Sequence, residues 1–224
     1  MQDMERFWIA FGDIHESIGG VARIPDLEQA SAVLVSGDLT NFGGRERATR
    51  VLAAIEARNP RIFAQIGNMD TAEADALLTE RGHNAHGRVT DLGRGVGLAA
   101  VGYSTPTPFG TPSEVGEDQI SRWVRQVLEQ AAAFEHVILM VHTPPHGMTL
   151  DRLDSGVSVG SPGVRALIEE FQPAIVITGH IHEAHGQDRL GRSELFNPGA
   201  FAEGGFVRVT HDASGLRGRL ERIR

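Results

Sequence analysis

Five short clusters of polar residues in this chain carry side chains that can bind metal ions. They are Asp13-Ile14-His15, Gly37-Asp38, Gly67-Asn68, His142 and Gly179-His180-Ile181-His182. Together they supply two aspartates, one asparagine and four histidines. Carboxylate, amide and imidazole groups suit divalent ions such as Mn, Fe or Zn. Gathered at one place, these side chains could hold two metal ions and hydrolyse a phosphate ester.

Each cluster follows a short apolar run that predicts a β-strand. The runs cover residues 7–11, 32–35, 62–66, 137–141 and 174–178. In α/β proteins, ligands bind beyond the carboxyl ends of the strands. If these strands lie side by side, the clusters meet at one edge of a sheet. Residues i and i+2 of an extended chain point the same way, so Asp13 and His15 can reach one ion, as can His180 and His182.

The remaining elements predict one mixed α/β domain over residues 1–224. Apolar residues at helical spacing indicate helices over 45–58, about 120–131 and 161–171. Asp70 and Glu73 have the spacing of a capping box that would open a further helix to about Glu80. Further strands are expected at 89–92 and 96–101 and in a β-rich tail near Leu195, at 206–209 and at 216–220. Residues 104–113 read as a loop.

Bulk composition excludes several kinds of chemistry. The formal net charge is −8, which disfavours nucleic acid as a partner. The chain contains no Cys and no Lys, so disulfides, thiolate metal sites and Lys-dependent phosphate loops are excluded. The first residues lack the basic start and apolar run of a signal peptide, and no apolar stretch approaches a membrane span. We therefore expect a cytoplasmic protein with no membrane partner; a homo-oligomer stays open.

The order Gly-Asp-x-His, Gly-Asp, Gly-Asn, His, Gly-His-x-His over residues 12–182 resembles the calcineurin-like metallophosphoesterase family, and its small bacterial phosphodiesterase-type members in particular. The resemblance implies an α/β fold, a four-layer αββα sandwich of two mixed β-sheets flanked by helices. It also implies two groups of metal ligands. One group is Asp13, His15, Asp38 and His182, and the other is Asp38, Asn68, His142 and His180.

The expected reaction is in-line attack on phosphorus by a hydroxide that bridges two divalent metal ions. Manganese is our first expectation, with Fe, Zn or Ni as alternatives. We assign catalytic roles to Asp38, Asn68 and His142. Asp38 is expected to bridge the ions through its two oxygens, and Asn68 to ligate through its carbonyl and offer its NH₂ group to the phosphate. The expected partner is a small phosphate-ester substrate.

The third cluster departs from the family pattern. The family has Gly-Asn-His followed by an acidic residue, and its histidine protonates the leaving group, whereas this chain has Met69 before Asp70. Methionine cannot donate a proton, and loss of a positioned acid hurts poor leaving groups most. We therefore predict a phosphodiesterase that prefers activated diesters. Asn41, His146 and His185 are candidate substrate contacts, and the last two could replace the missing acid.

Other functions stay open at this stage. A phosphomonoesterase or a nuclease of the same family would use the same ligands. A metal-binding but non-catalytic interaction module on this fold is the alternative from another class. Such a module is expected to lose ligands, and all seven positions are present here.

Overall fold

A computed structural model of the chain describes residues 6–223. Its α-helices are α1 (Arg45–Glu56), α2 (Ala72–Glu80), α3 (Glu117–Ala131) and α4 (Pro162–Phe171). Its strands are β1 (Arg6–Phe11), β2 (Val33–Val35), β3 (Ile62–Ala64), β4 (Arg88–Gly93), β5 (Val96–Val101), β6 (His136–Val141), β7 (Ile175–Ile177), β8 (Gly186–Leu190), β9 (Ser193–Asn197), β10 (Gly205–Asp212) and β11 (Gly215–Arg222). Short 3-10 turns connect several of them.

The strands form two mixed sheets. One sheet has the order β11-β10-β1-β2-β3, in which β1, β2 and β3 are parallel and β10 and β11 are antiparallel additions. The other has the order β4-β5-β6-β7-β9-β8, with β5, β6, β7 and β9 parallel and antiparallel strands at both edges. The prediction of two mixed sheets is confirmed.

Strand alternation explains why the sheets lie face to face beneath helices. Along β1, Ile9 and Phe11 pack with α1 and α2, whereas Trp8 points into a core shared by both sheets. Along β5, Leu98 enters the shared core, and Ala99 packs with α3 and α4. The central parallel strands of each sheet are therefore buried on both faces, as such strands require. Burying a large apolar side chain in this way stabilises the fold by about 1.5–3 kcal/mol.

The amphipathic helices lie where their apolar spacing predicts. Helix α3 buries a stripe of apolar residues against the second sheet, and α1 does the same against the first. The helix predicted after Asp70 exists, but it begins at Ala72 and its N-cap is Thr71. The capping box of Asp70 and Glu73 is therefore wrong. Among the helices of residues 6–223, none is long and apolar enough to cross a membrane.

The largest difference from the sequence-based expectation concerns the site. The five clusters do follow strands, but they do not share one sheet edge. Strands β1, β2 and β3 of the first sheet precede the first three clusters, and β6 and β7 of the second sheet precede the other two. The polar residues consequently meet where the carboxyl ends of two facing sheets converge.

Candidate metal centre

The first group of expected ligands converges on a small volume. His15 Nε2 lies 3.1 Å from His182 Nε2 and 3.7 Å from Asp38 Oδ2. Asp13 Oδ1 lies 3.3 Å from His182 Nε2 and 4.0 Å from His15 Nε2. Atoms that each lie about 2.1 Å from a common ion are separated by distances of this size. Asp13, His15 and His182 can therefore contact one cation together.

The second group converges beside the first. Asn68 Oδ1 lies 2.7 Å from His180 Nδ1 and 3.1 Å from His142 Nε2. His142 Nε2 is in turn 3.5 Å from Asp38 Oδ2. All four residues, Asp38 included, come from loops that follow different strands. The structure thus brings all seven predicted ligands to one place.

Asp38 lies between the two groups, but only one of its oxygens faces both. Its Oδ1 accepts a hydrogen bond of 2.7 Å from the backbone N–H of Met69. Its Oδ2 faces His15 on one side and His142 on the other. This geometry presents Oδ2 to both groups, and the expectation that Asp38 bridges two ions through both oxygens stays a prediction.

The donor set fits two divalent cations. It contains four imidazoles, two carboxylates and one amide oxygen, which suits borderline metals such as Mn, Fe and Zn. His142 Nδ1 lies 2.9 Å from the carbonyl oxygen of Ser36. A hydrogen bond from Nδ1 to a carbonyl leaves the lone pair on Nε2, the arrangement found in metal-ligating histidines. Nε2 is the atom that faces Asp38 and Asn68.

Electrostatics at the site also favour cations. Burial alone would lower the pKa of His142, yet the carboxylate of Asp38 outweighs it, with help from Asp13, and raises that pKa to about 9. Burial and the charge of His142 lower the pKa of His180 to about 4. Burial raises the pKa of Asp13, but contacts with His182, His142 and His15 outweigh it, and the net shift is downward. The lowered pKa of Asp13 keeps a negative charge beside these three histidines, which suits a cation.

Four of the seven residues have left-handed backbone conformations. The φ angles are 48° at Asp13, 46° at His15, 50° at Asp38 and 71° at His180. Each such non-glycine residue costs of the order of 1–3 kcal/mol and persists only where the surroundings enforce it. Here backbone hydrogen bonds do so, since the carbonyl of Asp38 accepts the N–H groups of Ile14 and His15. Strain of this kind is typical of functional sites.

Comparison with known proteins agrees with this geometry. A family model for calcineurin-like phosphoesterases matches residues 9–184. The chain belongs to this family. An uncharacterised protein of Methanocaldococcus jannaschii is 30% identical to this chain over 173 residues, covering 75% of the chain and 77% of the relative. A UPF0046 protein of Caenorhabditis elegans is 28% identical over 209 residues, covering 84% and 68%.

Solved structures share the fold of this chain at low sequence identity. A protein of Thermus thermophilus superposes with a TM-score of 0.71 at 18% identity, covering 98% of this chain and 99% of that one. A dimetal phosphatase from Danio rerio gives a TM-score of 0.62 at 11% identity, covering 98% and 99%. These likenesses show the fold of two mixed sheets with outer helices.

Asp70 is a buried anchor for the Asp38 loop, a role that the sequence did not reveal. Its carboxylate accepts the backbone N–H groups of Leu39, Thr40 and Gly67 at 2.8–3.1 Å, and the hydroxyl of Thr40 lies 2.9 Å away. Burial and the charge of Asp38 raise the pKa of Asp70 to about 7, although these donors oppose the shift. Asp70 thus joins the loops that carry Asp38 and Asn68.

The nitrogen of the Asn68 amide, on the side away from His142 and His180, is held by a hydrogen bond. Asn68 Nδ2 donates a hydrogen bond of 2.9 Å to Thr111 Oγ1, which uses one of the two N–H groups of the amide. The expected contact of the NH₂ group with phosphate stays a prediction. The carboxylate of Glu114 accepts hydrogen bonds from Thr111 N at 2.8 Å and Thr111 Oγ1 at 2.5 Å. This network holds Oδ1 of Asn68 toward the histidines. Sequence reasoning missed Thr111 and Glu114 because they belong to a loop with no periodicity.

The candidate substrate contacts divide into two classes. Asn41 lines a cavity of about 880 Å³. Five predicted ligands line the same cavity: His15, Asp38, Asn68, His180 and His182. His146 and His185 are exposed, and neither is among the side chains that line this cavity. The structure therefore brings Asn41 to the site and leaves the two histidines outside it.

Proposed function

We propose that this chain is a phosphodiesterase that uses two divalent cations, with manganese as the first candidate. Asp13, His15, Asp38 and His182 would hold one ion, and Asp38, Asn68, His142 and His180 would hold the other. The observation that carries this proposal is the position of Asp38 Oδ2, which faces His15 at 3.7 Å and His142 at 3.5 Å. A carboxylate oxygen that lies between two imidazole groups is placed to be a ligand shared by both ions.

Two such cations supply an acidified water and stabilise charge on a phosphate during in-line displacement. The residues of the chain provide the rest. Asp38, Asn68 and His142 fix where the phosphate can lie, because all three are buried and held by hydrogen bonds. The strained loops keep these groups in place without further rearrangement.

Preference for diesters rests on Met69, whose side chain lines the cavity beside Asp38 and Asn68. Its thioether has no proton to give to a departing alkoxide. Among the described residues that line the cavity, the three histidines, His15, His180 and His182, are all predicted metal ligands, so none of them is free to act instead. Substrates whose leaving group is stable as an anion should therefore react fastest.

A substrate panel tests the proposal. The purified protein is loaded with Mn²⁺, and separately with Zn²⁺, Ni²⁺ or Mg²⁺. Each form is then offered bis(p-nitrophenyl) phosphate, p-nitrophenyl phosphate, a cyclic nucleotide and an alkyl monophosphate. We expect the aryl diester to have the highest kcat/KM and the alkyl monophosphate the lowest. Equal or higher activity on the alkyl monoester would contradict the diesterase assignment.

Two variants and a matched control separate catalysis from mere binding. Asp38→Ala and His142→Ala should each lower kcat/KM by at least about 10²-fold, since even outer-shell changes cost 10–100-fold. His136→Ala is the control, because His136 begins β6, the strand whose other end leads to His142. A protein that binds two ions but hydrolyses none of the panel would instead be a non-catalytic metal-binding module.

A further inference from the structure

The cavity beside the candidate metal centre has one polar wall and one apolar wall. The polar wall is formed by the predicted ligands. The apolar wall is formed by Phe42, Met69, Phe109, Leu153, Val159 and Ile181, with prolines of the loop after β5. The volume of about 880 Å³ exceeds what a phosphate group alone requires. The space beyond the phosphate position is lined largely by the apolar side chains named above.

The charges of the cavity limit what it can accept. Within residues 6–223, its lining includes no Arg, and the chain contains no Lys. Glu183 adds a negative charge to the lining. Proteins that recognise several phosphate groups use Arg and Lys for that purpose. A polyphosphate or a dicarboxylate therefore finds no cation among these side chains.

Two phenylalanines on the apolar wall are unusually exposed. Phe109 is 83% exposed and Phe42 is 56% exposed. Single exposed apolar residues are ordinary on protein surfaces, but these two share one cavity with the predicted ligands. Phe42 also has a left-handed backbone, with φ of 53°, which is uncommon for a bulky residue.

Short hydrogen-bond chains connect both phenylalanines to the predicted ligands. The N–H of Phe42 donates to the carbonyl of Met69 at 3.0 Å, and Met69 N–H donates to Asp38. The apolar wall on this side is therefore fixed directly to the Asp38 loop.

The second chain runs through the loop after β5. Phe109 N–H donates to Thr107 Oγ1 at 3.2 Å, and Thr107 and Thr111 both donate to Glu114. Thr111 accepts from Asn68. The backbones of both phenylalanines are thus connected by hydrogen bonds to the residues that would hold the phosphate.

We infer that this cavity binds an uncharged aromatic or bulky apolar group of the phosphodiester substrate, with Phe42 and Phe109 as specificity-determining residues. The inference rests on the proposed function, because it places the phosphate at the seven predicted ligands. It narrows the substrate class to diesters in which one esterified alcohol is apolar and uncharged. Nucleoside polyphosphates and diesters with a further anionic group are poor substrates on this account.

Matched synthetic diesters provide the test. Methyl, benzyl and naphthylmethyl p-nitrophenyl phosphates share one leaving group and one negative charge, and they differ only in the group that would enter the cavity. A 2-carboxyethyl p-nitrophenyl phosphate adds an anion. We expect kcat/KM to rise by about tenfold or more from methyl to naphthylmethyl, as burial of an aromatic group allows, and the carboxyethyl diester to be the poorest substrate.

Alanine variants show whether the preference for large apolar groups comes from the cavity. Phe109→Ala and Phe42→Ala should each lower the naphthylmethyl-to-methyl ratio of kcat/KM by about three- to tenfold. Val157→Ala is the control, because Val157 is as exposed as Phe42, at 56%, but does not line the cavity. It should leave the ratio unchanged. A ratio near one in the parent protein, or a preference for the carboxyethyl diester, would overturn the inference.

A binding measurement distinguishes failure of this inference from failure of the proposed function. Calorimetric titration with naphthylmethylphosphonate and methylphosphonate needs no turnover. Tighter binding of the aromatic phosphonate, weakened by Phe109→Ala, with no hydrolysis of any diester would remove the proposed function and keep the apolar subsite. Hydrolysis of all diesters with equal affinity for both phosphonates would remove the subsite and keep the phosphodiesterase.

Discussion

The backbone N–H of Met69 donates to Asp38 Oδ1 at 2.7 Å, and this contact decides which oxygen of Asp38 faces the imidazoles. Because the donor is a backbone group, the contact does not depend on the side chain at position 69. The Met69 side chain instead lines the cavity. Met69 therefore orients the central carboxylate with its backbone N–H, and its side chain offers no proton to a leaving group.

Replacement of Met69 by histidine should add a proton donor without disturbing Asp38. We expect Met69→His to raise kcat/KM for substrates with poor leaving groups, such as alkyl phosphates, by about 10²-fold, the lower end of what a positioned acid contributes. Activity on p-nitrophenyl diesters should change far less, because p-nitrophenolate leaves without protonation. Steady-state kinetics on both substrate types measures the difference.

Met69→Leu is the matched control for that experiment. Leucine keeps the backbone donor and the apolar character of the wall, so both substrate types should behave as in the parent protein. An equal gain for leucine and histidine would show that the effect is not proton donation.

Replacement of the Asp70 carboxyl group by an amide should loosen the Asp38 loop. In Asp70→Asn, an NH₂ group would face backbone N–H donors that the carboxylate now accepts. We expect a loss of about 2–4 kcal/mol in the free energy of unfolding, because buried donors lose their acceptors. We also expect metal affinity to fall by about 10–100-fold, as when supporting residues of a metal site are changed. Chemical denaturation and metal titration provide the two values.

Asp151 offers a control of the same kind. Its buried carboxylate accepts the backbone N–H groups of Gly147, Met148 and Gly160 at 3.0 Å, but it contacts none of the predicted ligands through these bonds. Asp151→Asn should lower stability by a similar amount and leave metal affinity unchanged. Equal losses of metal affinity in both variants would contradict the anchoring role of Asp70.

Glu114 should make a pH-dependent contribution to stability. Burial alone would raise its pKa, but hydrogen bonds from Thr107 and Thr111 outweigh this and lower the pKa to about 2, from an ordinary value of 4.5. A carboxylate with a lowered folded-state pKa stabilises the fold above its unfolded-state pKa, and the effect is lost as pH falls toward the folded-state value. The contribution should thus be complete above about pH 5 and vanish between about pH 4.5 and 2.

Comparison with Glu114→Gln isolates this contribution. The parent protein should be more stable than the variant by about 1–2 kcal/mol at pH 7, a value reduced for solvent screening. The difference should shrink at pH 3, which denaturant titrations at both pH values will show. A difference that is constant with pH would mean that the charge of Glu114 does not support the loop.

Much of the site can be predicted from sequence because each ligand directly follows a buried strand. The apolar runs before Asp13 and before His142 indicate strands, and ligands in α/β proteins bind beyond the carboxyl ends of strands. Such runs do not reveal which sheet a strand belongs to, because fully buried strands of the two sheets have the same apolar sequence pattern. The convergence of two sheets therefore had to come from the structure.

Residues that act through hydrogen bonds to distant parts of the sequence are the hardest to predict. Asp70 has the local spacing of a helix cap, yet its carboxylate turns to donors about thirty residues away in sequence at Leu39 and Thr40. Thr111 contacts Asn68 across 43 positions. Strand β8, which lies at a sheet edge, is also not predicted by the sequence. Its residues are mostly polar and alternate only between half-buried and exposed, so the segment resembles a loop. Long-range polar contacts leave no periodic signal in a sequence.

Anomalous diffraction from crystals grown with Mn²⁺ tests the central claim most directly. The account predicts two anomalous peaks per chain. One should lie within ligand distance of Asp13, His15 and His182, the other within ligand distance of Asn68, His142 and His180, and Asp38 Oδ2 should contact both. The absence of peaks among these residues at saturating Mn²⁺, or peaks only elsewhere on the chain, would contradict it.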